Sequence, residues 1–89
     1  MRSLRVMVKF YREKRKSIST YGYRPHFVVR GDSEYLGIEF IESELNEFNV
    51  FAEAVVKILY DNVGYHKLKK GVSFDILEGA TVVGEGYVL

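Results

Sequence analysis

The sequence contains no cysteine, which excludes a disulfide framework and any thiolate site. It also contains no apolar run near the ~20 residues that a membrane-spanning helix needs. Its first residues alternate charged and apolar side chains and lack the continuous apolar stretch of a signal peptide. We therefore expect a cytoplasmic protein with no membrane segment.

Motifs for catalysis and for cofactor binding are absent as well. His26 and His66 are forty positions apart and neither has a second histidine nearby, so we expect no metal site. Gly84-Glu85-Gly86 lacks the third glycine and the following helix of a dinucleotide fingerprint, and no Gly-x-x-x-x-Gly-Lys sequence is present. We therefore expect no nucleotide or other cofactor. The acidic segment 39–47 offers paired carboxylates, as any acidic surface loop would, so a hydrolase is only a distant alternative. We expect a protein that is not an enzyme.

Apolar and aromatic residues are plentiful instead. They make up 47% and 15% of the chain, which suits a packed core and argues against disorder. A chain of 89 residues buries roughly 60–70% of its unfolded surface, so it folds alone with a small margin. We expect a single domain over residues 1–89.

Charge is segregated along the chain although the net charge is only +1. Residues 1–30 carry nine Lys/Arg and one Glu, a balance of +8, whereas residues 31–61 carry one Lys and eight Asp/Glu, a balance of −7. Two interpretations are open. Basic strands can pair with acidic neighbours across a sheet. Alternatively, the surface is bipolar and its basic side meets a phosphate backbone or an acidic protein.

Alternation of apolar and polar residues with a period of two is the main structural signal. It predicts six short strands, at residues 4–10, 26–30, 36–41, 51–60, 72–77 and 81–88. The fourth segment also fits a helical period, but its β-branched residues favour a strand. Six strands with little or no helix indicate an all-β barrel or sandwich, because either arrangement protects the edges of the sheet.

A basic cluster follows the first strand. Residues 12–16 contain four cations, and Tyr21, Tyr23 and Arg24 follow them. Cations of this kind contact phosphates, and exposed aromatic rings stack on bases or riboses. A solvated basic loop is the alternative interpretation. For Arg24 we expect a structural role, with its guanidinium bridging backbone carbonyls or a carboxylate inside a tight end of the fold.

Two motifs in this chain resemble the third, C-terminal domain of translation elongation factor Tu. The first is Gly22-Tyr23-Arg24-Pro25, and the second is Phe74-Asp75-Ile76-Leu77-Glu78-Gly79 followed by Val83-Gly84-Glu85-Gly86-Tyr87-Val88. The resemblance spans residues 6–88 and includes no GTPase domain. It implies a six-stranded antiparallel closed β-barrel, and a role in binding and not in catalysis.

In that family the barrel contacts the T-stem backbone of aminoacyl-tRNA, the nucleotide exchange factor and the GTPase domain. The positions of this chain that match the family's RNA-contacting residues are Arg15, Lys16, His26, Glu78 and Gly79. The family's glycine pair before the arginine is replaced here by Glu13-Lys14, and an arginine in the last hairpin is replaced by Thr81. The leading hypothesis is a non-catalytic module that docks onto structured RNA such as a tRNA stem, with Arg15 and Lys16 holding phosphates.

A second hypothesis is a protein-interaction module that binds a translation factor or another protein, or associates with itself. Phe48, Val50 and Phe51 are candidate docking residues, because they stand near the position of a polar turn in the family. Ordinary core packing is the alternative for them. RNA binding is favoured if Arg15, Lys16 and His26 lie on one face with residues 67–70. An exposed apolar patch around residues 48–51 would favour a protein partner.

Overall fold

The computed structural model describes residues 2–89, which form six strands and one short 3-10 helix. The strands are β1 (Ser3–Phe10), β2 (His26–Val29), β3 (Leu36–Ser43), β4 (Ala52–Ile58), β5 (Ser73–Glu78) and β6 (Thr81–Val88). The 3-10 helix, Val63–Lys67, lies between β4 and β5. No helix within residues 2–89 has the length and apolar character needed to cross a bilayer.

The six strands close into a barrel in the order β1-β4-β3-β2-β5-β6, and every neighbouring pair is antiparallel. The predicted six-stranded antiparallel closed barrel is therefore confirmed. The fourth segment is a strand, as its β-branched residues indicate. The 3-10 helix was not predicted, since that stretch was expected to be an irregular connection.

The interior of the barrel is filled by the inward-facing residues of the alternating pattern. Val6, Val8 and Phe10 of β1 are fully buried, and the rings of Phe27 and Phe74 stack with their centroids 3.9 Å apart. Burial of each such side chain contributes about 1.5–3 kcal/mol relative to exposure. No polar or charged residue within residues 2–89 is fully buried. The interior therefore serves packing, and functional groups lie outside it.

Glycines in β6 allow the barrel to close. A Cβ atom at Gly86 would meet the backbone carbonyl of Met7 and the ring of Phe74, 2.8 Å away, and a Cβ atom at Gly84 would meet the carbonyl of Lys9. The strand therefore packs directly on β1 and on the aromatic core, as expected for glycines at alternate strand positions.

The antiparallel order places successive connections at alternate ends of the barrel. We call the end with connections 11–25, 44–51 and 79–80 the upper end, and the end with connections 30–35 and 59–72 the lower end. The 3-10 helix closes the lower end with Tyr65, which is 3% exposed. The hydroxyl of Tyr65 donates to the carbonyl of Gly37 at 2.5 Å.

Candidate nucleic-acid interface

The connection from β1 to β2 covers the upper end and is built from successive tight turns. The backbone N–H of Arg15 donates to the carbonyl of Tyr11 at 3.2 Å, and the N–H of Tyr23 donates to the carbonyl of Thr20 at 3.1 Å. Gly22 stands at the third position of this second turn with a φ of 65°, which is the feature of a type II turn. The turn holds Tyr21 at its tip, where the side chain is 98% exposed.

Arg15 is not on the outside of this connection. Its side chain is only 10% exposed, with Nε 3.2 Å from a carboxylate oxygen of Glu78. One terminal nitrogen, Nη2, donates to the carbonyl of Ser19 at 2.7 Å. The guanidinium lies 3.9 Å from the ring centroid of Tyr23 and 4.9 Å from that of Phe10. A planar, weakly hydrated cation is suited to this stacked position, which leaves little of it for a phosphate.

Tyr23 completes the group that closes the upper end. Its ring packs against Phe10 and Phe40, with centroids 5.8 and 5.7 Å away, and its hydroxyl donates to Glu78 at 2.5 Å. Burial, followed by this hydrogen bond, raises the pKa of Tyr23 well above its usual value. We call Arg15, Tyr23 and Glu78 the upper clamp, because together they fasten the β1–β2 connection to the end of β5.

The other predicted RNA-contacting residues lie in different surroundings. Lys16 is exposed, directly after Arg15. Gly79 forms the hairpin turn after Glu78 with a φ of 58°. His26 is half-buried on β2, opposite Leu77 of β5, with its ring 5.4 Å from that of Tyr35. The structure thus joins Arg15 to Glu78 directly, places Lys16 and Gly79 beside them in the chain, and packs His26 on a tyrosine.

The lysines of segment 67–70 do not extend the basic cluster. They lie in the connection after β4, at the lower end, whereas residues 12–16 lie at the upper end. Lys67 is also paired with Asp32 at 2.5 Å and with Glu34 at 2.8 Å. The single basic face that would have joined the two segments is therefore not formed.

Besides Arg24, which pairs with Glu39, the β1–β2 connection carries three exposed cations: Arg12, Lys14 and Lys16. None of them forms an ion pair with any residue of the described part, 2–89. Arg12 lies over the ring of Phe48 at 5.5 Å. The upper end therefore carries these cations and the open ring of Tyr21 together with the exposed acidic residues Glu13, Glu44 and Glu47.

Elsewhere on the barrel, basic residues from the first part of the chain pair with acidic residues from later strands. Arg5 of β1 meets Glu53 of β4 at 2.7 Å, and Arg30 lies 3.1 Å from Asp75 of β5. Within residues 2–89, the basic segment 1–30 pairs with the acidic segment 31–61 only through Arg5–Glu53 and Arg24–Glu39, so the charge segregation is partly neutralised across the sheet. Pairs of this exposed kind contribute little stability. Unpaired positive charge is left mainly on the connections.

Arg24 is more exposed than expected. Its side chain is mostly exposed, and Nε lies 3.5 Å from a carboxylate oxygen of Glu39. The prediction of a carboxylate partner is confirmed, but the prediction of a position inside the barrel end is wrong. Arg15 takes the inside position instead, where it pairs with the carboxylate of Glu78.

The candidate docking residues of the second hypothesis divide into two kinds. Phe48 is half-buried and packs against the core, whereas Val50 and Phe51 are 47% and 38% exposed. The ring of Phe51 lies 5.8 Å from that of Tyr87 on β6, and Lys9 Nζ lies 4.8 Å above it. Phe51 and Tyr87 are therefore in contact on the outer face of the barrel, and with the exposed Val50, which precedes Phe51 in the chain, they make up the apolar outer patch.

Surface grooves on the barrel are shallow. One of about 430 Å³ lies beside the β1–β2 connection and is lined by Tyr21, Gly22, Glu39, Phe40, Ile41 and Lys57. Another of about 210 Å³ lies on the acidic side, between the end of β3 and the start of β4. Across residues 2–89, no three His, Asp or Glu side chains are grouped so that they could hold a metal ion.

Comparison with protein families and with curated proteins gives no relative for this chain. No protein-family model matches the sequence, and no curated protein matches it significantly. The resemblance to the third domain of elongation factor Tu stays a prediction that rests on its two motifs.

Proposed function

We propose that this protein is a non-catalytic binding module that docks onto structured RNA, such as a tRNA stem, with the upper end of its barrel. The observation that supports the proposal is the set of exposed cations without acidic partners, Arg12, Lys14 and Lys16, on one connection with the exposed ring of Tyr21. Contacts of cations with phosphates supply the affinity for RNA independently of sequence. Exposed aromatic rings add stacking only where the RNA offers unpaired bases, and not against the paired bases of a stem.

The proposal gives different roles to residues that the family resemblance treats alike. Lys14 and Lys16 contact phosphates, because their side chains are exposed and unpaired within residues 2–89. Arg15 and Glu78 act on the inside, where they hold the connection in place through their ion pair. A connection that is fixed before binding loses less conformational entropy on binding, so the clamp favours affinity without touching the RNA.

The test is fluorescence anisotropy of labelled total tRNA against the purified protein at 50 and 200 mM salt. The variant Lys14→Gln/Lys16→Gln removes two phosphate contacts, so binding should weaken and the slope of log affinity against log salt should fall by about 1.4–1.8. The matched control is Lys69→Gln/Lys70→Gln, which removes the same charge at the lower end and should leave binding nearly unchanged.

Two results would contradict the proposal. Absence of tRNA binding at 50 mM salt would remove RNA as the partner. Equal weakening by the two double variants would show that net charge attracts RNA without a defined interface.

A second candidate function, a protein-interaction module, is favoured by the apolar outer patch of Val50, Phe51 and Tyr87. Exposed apolar residues in contact with one another are typical of interaction surfaces. Phe51→Asp should abolish any self-association seen by sedimentation equilibrium and any partner recovered by pull-down. Val82→Asp is the control, because Val82 is equally exposed. Unchanged association and partner recovery in Phe51→Asp would remove this candidate.

A further inference from the structure

The groove beside the β1–β2 connection is formed by two local departures from regular structure. The type II turn at Gly22 holds Tyr21 away from the barrel on one side. On the other side, the β3–β4 register shifts between Phe40 and Glu42, and the extra residue, Ile41, is left 47% exposed. A bulge of this kind redirects side chains at the edge of a functional surface. The two exposed apolar side chains line the same groove.

Polar groups of both signs stand along the same groove. The carboxylate of Glu39 lies 3.5 Å from Arg24 Nε and 3.9 Å from Lys57 Nζ. Glu39 is therefore an acceptor held between two donors, and all three side chains retain some exposure. Apolar side chains combined with a few fixed polar groups are typical of a site for a flat, partly polar ligand.

We propose that this groove takes one unpaired nucleobase, stacked on Tyr21 beside Ile41, with its polar edge towards Glu39 and Lys57. The inference rests on the proposed function and specifies its ligand: RNA in which an unpaired nucleotide lies next to a stem. A base within an A-form helix cannot stack on a protein side chain, whereas a base in a loop, bulge or end can.

Charge on the same connection favours a nucleotide over a neutral aromatic ligand. Lys16 is five residues from Tyr21, so the two Cα atoms are at most about 18 Å apart. The RNA backbone leading away from the stacked base is therefore within reach of a cation that has no ion pair within residues 2–89. Backbone tracking by cations combined with base stacking on an aromatic ring is the general mode of single-strand binding.

The test compares a blunt RNA hairpin with the same hairpin carrying a two-nucleotide 3′ overhang that contains 2-aminopurine, whose fluorescence falls when it stacks. The wild-type protein should bind the overhang hairpin roughly five- to hundredfold more tightly, which is the usual effect of one base–aromatic stack. The 2-aminopurine signal should fall on binding.

Variants of Tyr21 show whether the gain comes from the groove. Tyr21→Ala should bind both hairpins with the affinity that the wild type has for the blunt one, and Tyr21→Trp should keep the gain. The control is Tyr60→Ala, because Tyr60 is an exposed tyrosine at the lower end.

The outcomes separate this inference from the proposed function. Equal binding of the two hairpins by the wild type, or a gain that survives in Tyr21→Ala, overturns the base site and leaves RNA binding in place. Absence of binding to either hairpin overturns the proposed function and the base site together.

Discussion

The two ends of the barrel are closed in different ways. At the lower end, Tyr65 and Leu68 from the segment after β4 extend the hydrophobic core, and one hydroxyl satisfies the carbonyl of Gly37. At the upper end, a guanidinium, a phenol and a carboxylate close the barrel through the clamp of Arg15, Tyr23 and Glu78. The lower closure extends the apolar core. The upper closure also fixes the connection that carries the exposed cations and Tyr21.

This difference teaches how a small barrel can support a polar surface. An apolar plug is stabilised by transfer from water and needs no partner outside the core. A stacked guanidinium is desolvated at a cost, which its hydrogen bonds and ring contacts must offset. The polar closure is therefore expected to be the weaker of the two.

The largest effect should come from removing the apolar plug. Tyr65→Ala should lower the free energy of unfolding by about 3–5 kcal/mol, because it removes a buried ring and leaves a cavity. Urea titration followed by circular dichroism measures this. Val63→Ala on the same 3-10 helix is the control, since Val63 is exposed and should change stability by less than about 0.5 kcal/mol. A loss below about 1 kcal/mol for Tyr65→Ala would show that the lower end is closed by other residues.

A smaller effect should come from opening the upper clamp. Arg15→Ala should lower the free energy of unfolding by about 1.5–3 kcal/mol, the usual range for hydrogen bonds to a charged group. The loss is limited because Glu78 is partly exposed and can be rehydrated. Lys16→Ala is the control in the same titration, since Lys16 is exposed. If the two variants lost the same stability, the clamp would not close the upper end.

Alkaline pH should lower the free energy of unfolding by a smaller amount, through tyrosines at both ends of the barrel. Burial raises the pKa of Tyr65, and burial together with a hydrogen bond to Glu78 raises that of Tyr23. In both cases the folded protein holds its proton more tightly than the unfolded chain, so the stabilisation is complete below about pH 10 and is lost above it. Tyr11, whose pKa is raised to about 12 by burial and by its bond to Glu85, adds to the same fall.

Urea titrations between pH 9 and pH 11 measure this fall. Each buried tyrosine contributes a slope of up to about 1.4 kcal/mol per pH unit. Tyr23→Phe and Tyr65→Phe should each remove the contribution of one tyrosine to this slope. The two variants therefore compare the upper end with the lower end in the same titration. Tyr21→Phe alters a fully exposed ring and is the control. A wild-type stability that stays constant up to pH 11 would contradict the prediction.

Much of the fold could be predicted because local signals agree with it. Period-two alternation marked β1, β3 and β4, and turn residues marked the ends of the other strands. The β-branched residues of β4 decided correctly between strand and helix. The 3-10 helix was missed because five residues carry little propensity signal. Its cues were Asn62, whose side chain accepts from the N–H of Gly64, and the apolar pair Tyr65 and Leu68.

The candidate site was harder to predict, because its geometry depends on residues distant in sequence. Arg15 and Arg24 look equivalent in the chain. Arg15 is the more buried of the two, and its carboxylate partner, Glu78, lies 63 positions later in the chain, at the end of β5. The residues next to Arg15 in the sequence therefore do not identify it as the buried one. The position of segment 67–70 at the lower end could, however, have been predicted from the sequence. In an antiparallel barrel the connections after the first and fourth strands lie at opposite ends, so counting strands would have separated the two basic segments.

The closure of β1 between β4 and β6 determines when the chain can finish folding. Phe10 is paired with Gly84, 74 positions later, so the barrel cannot close on this edge of β1 until those residues have been synthesised. At 5–20 residues per second this delay is about 4–15 s. During that time the apolar face of Val6, Val8 and Phe10 has no closed barrel to enter, and the edge of β1 that pairs with β6 is open. We expect the nascent chain to be a substrate for chaperones that bind extended apolar segments, although the finished barrel has no open edge to offer them.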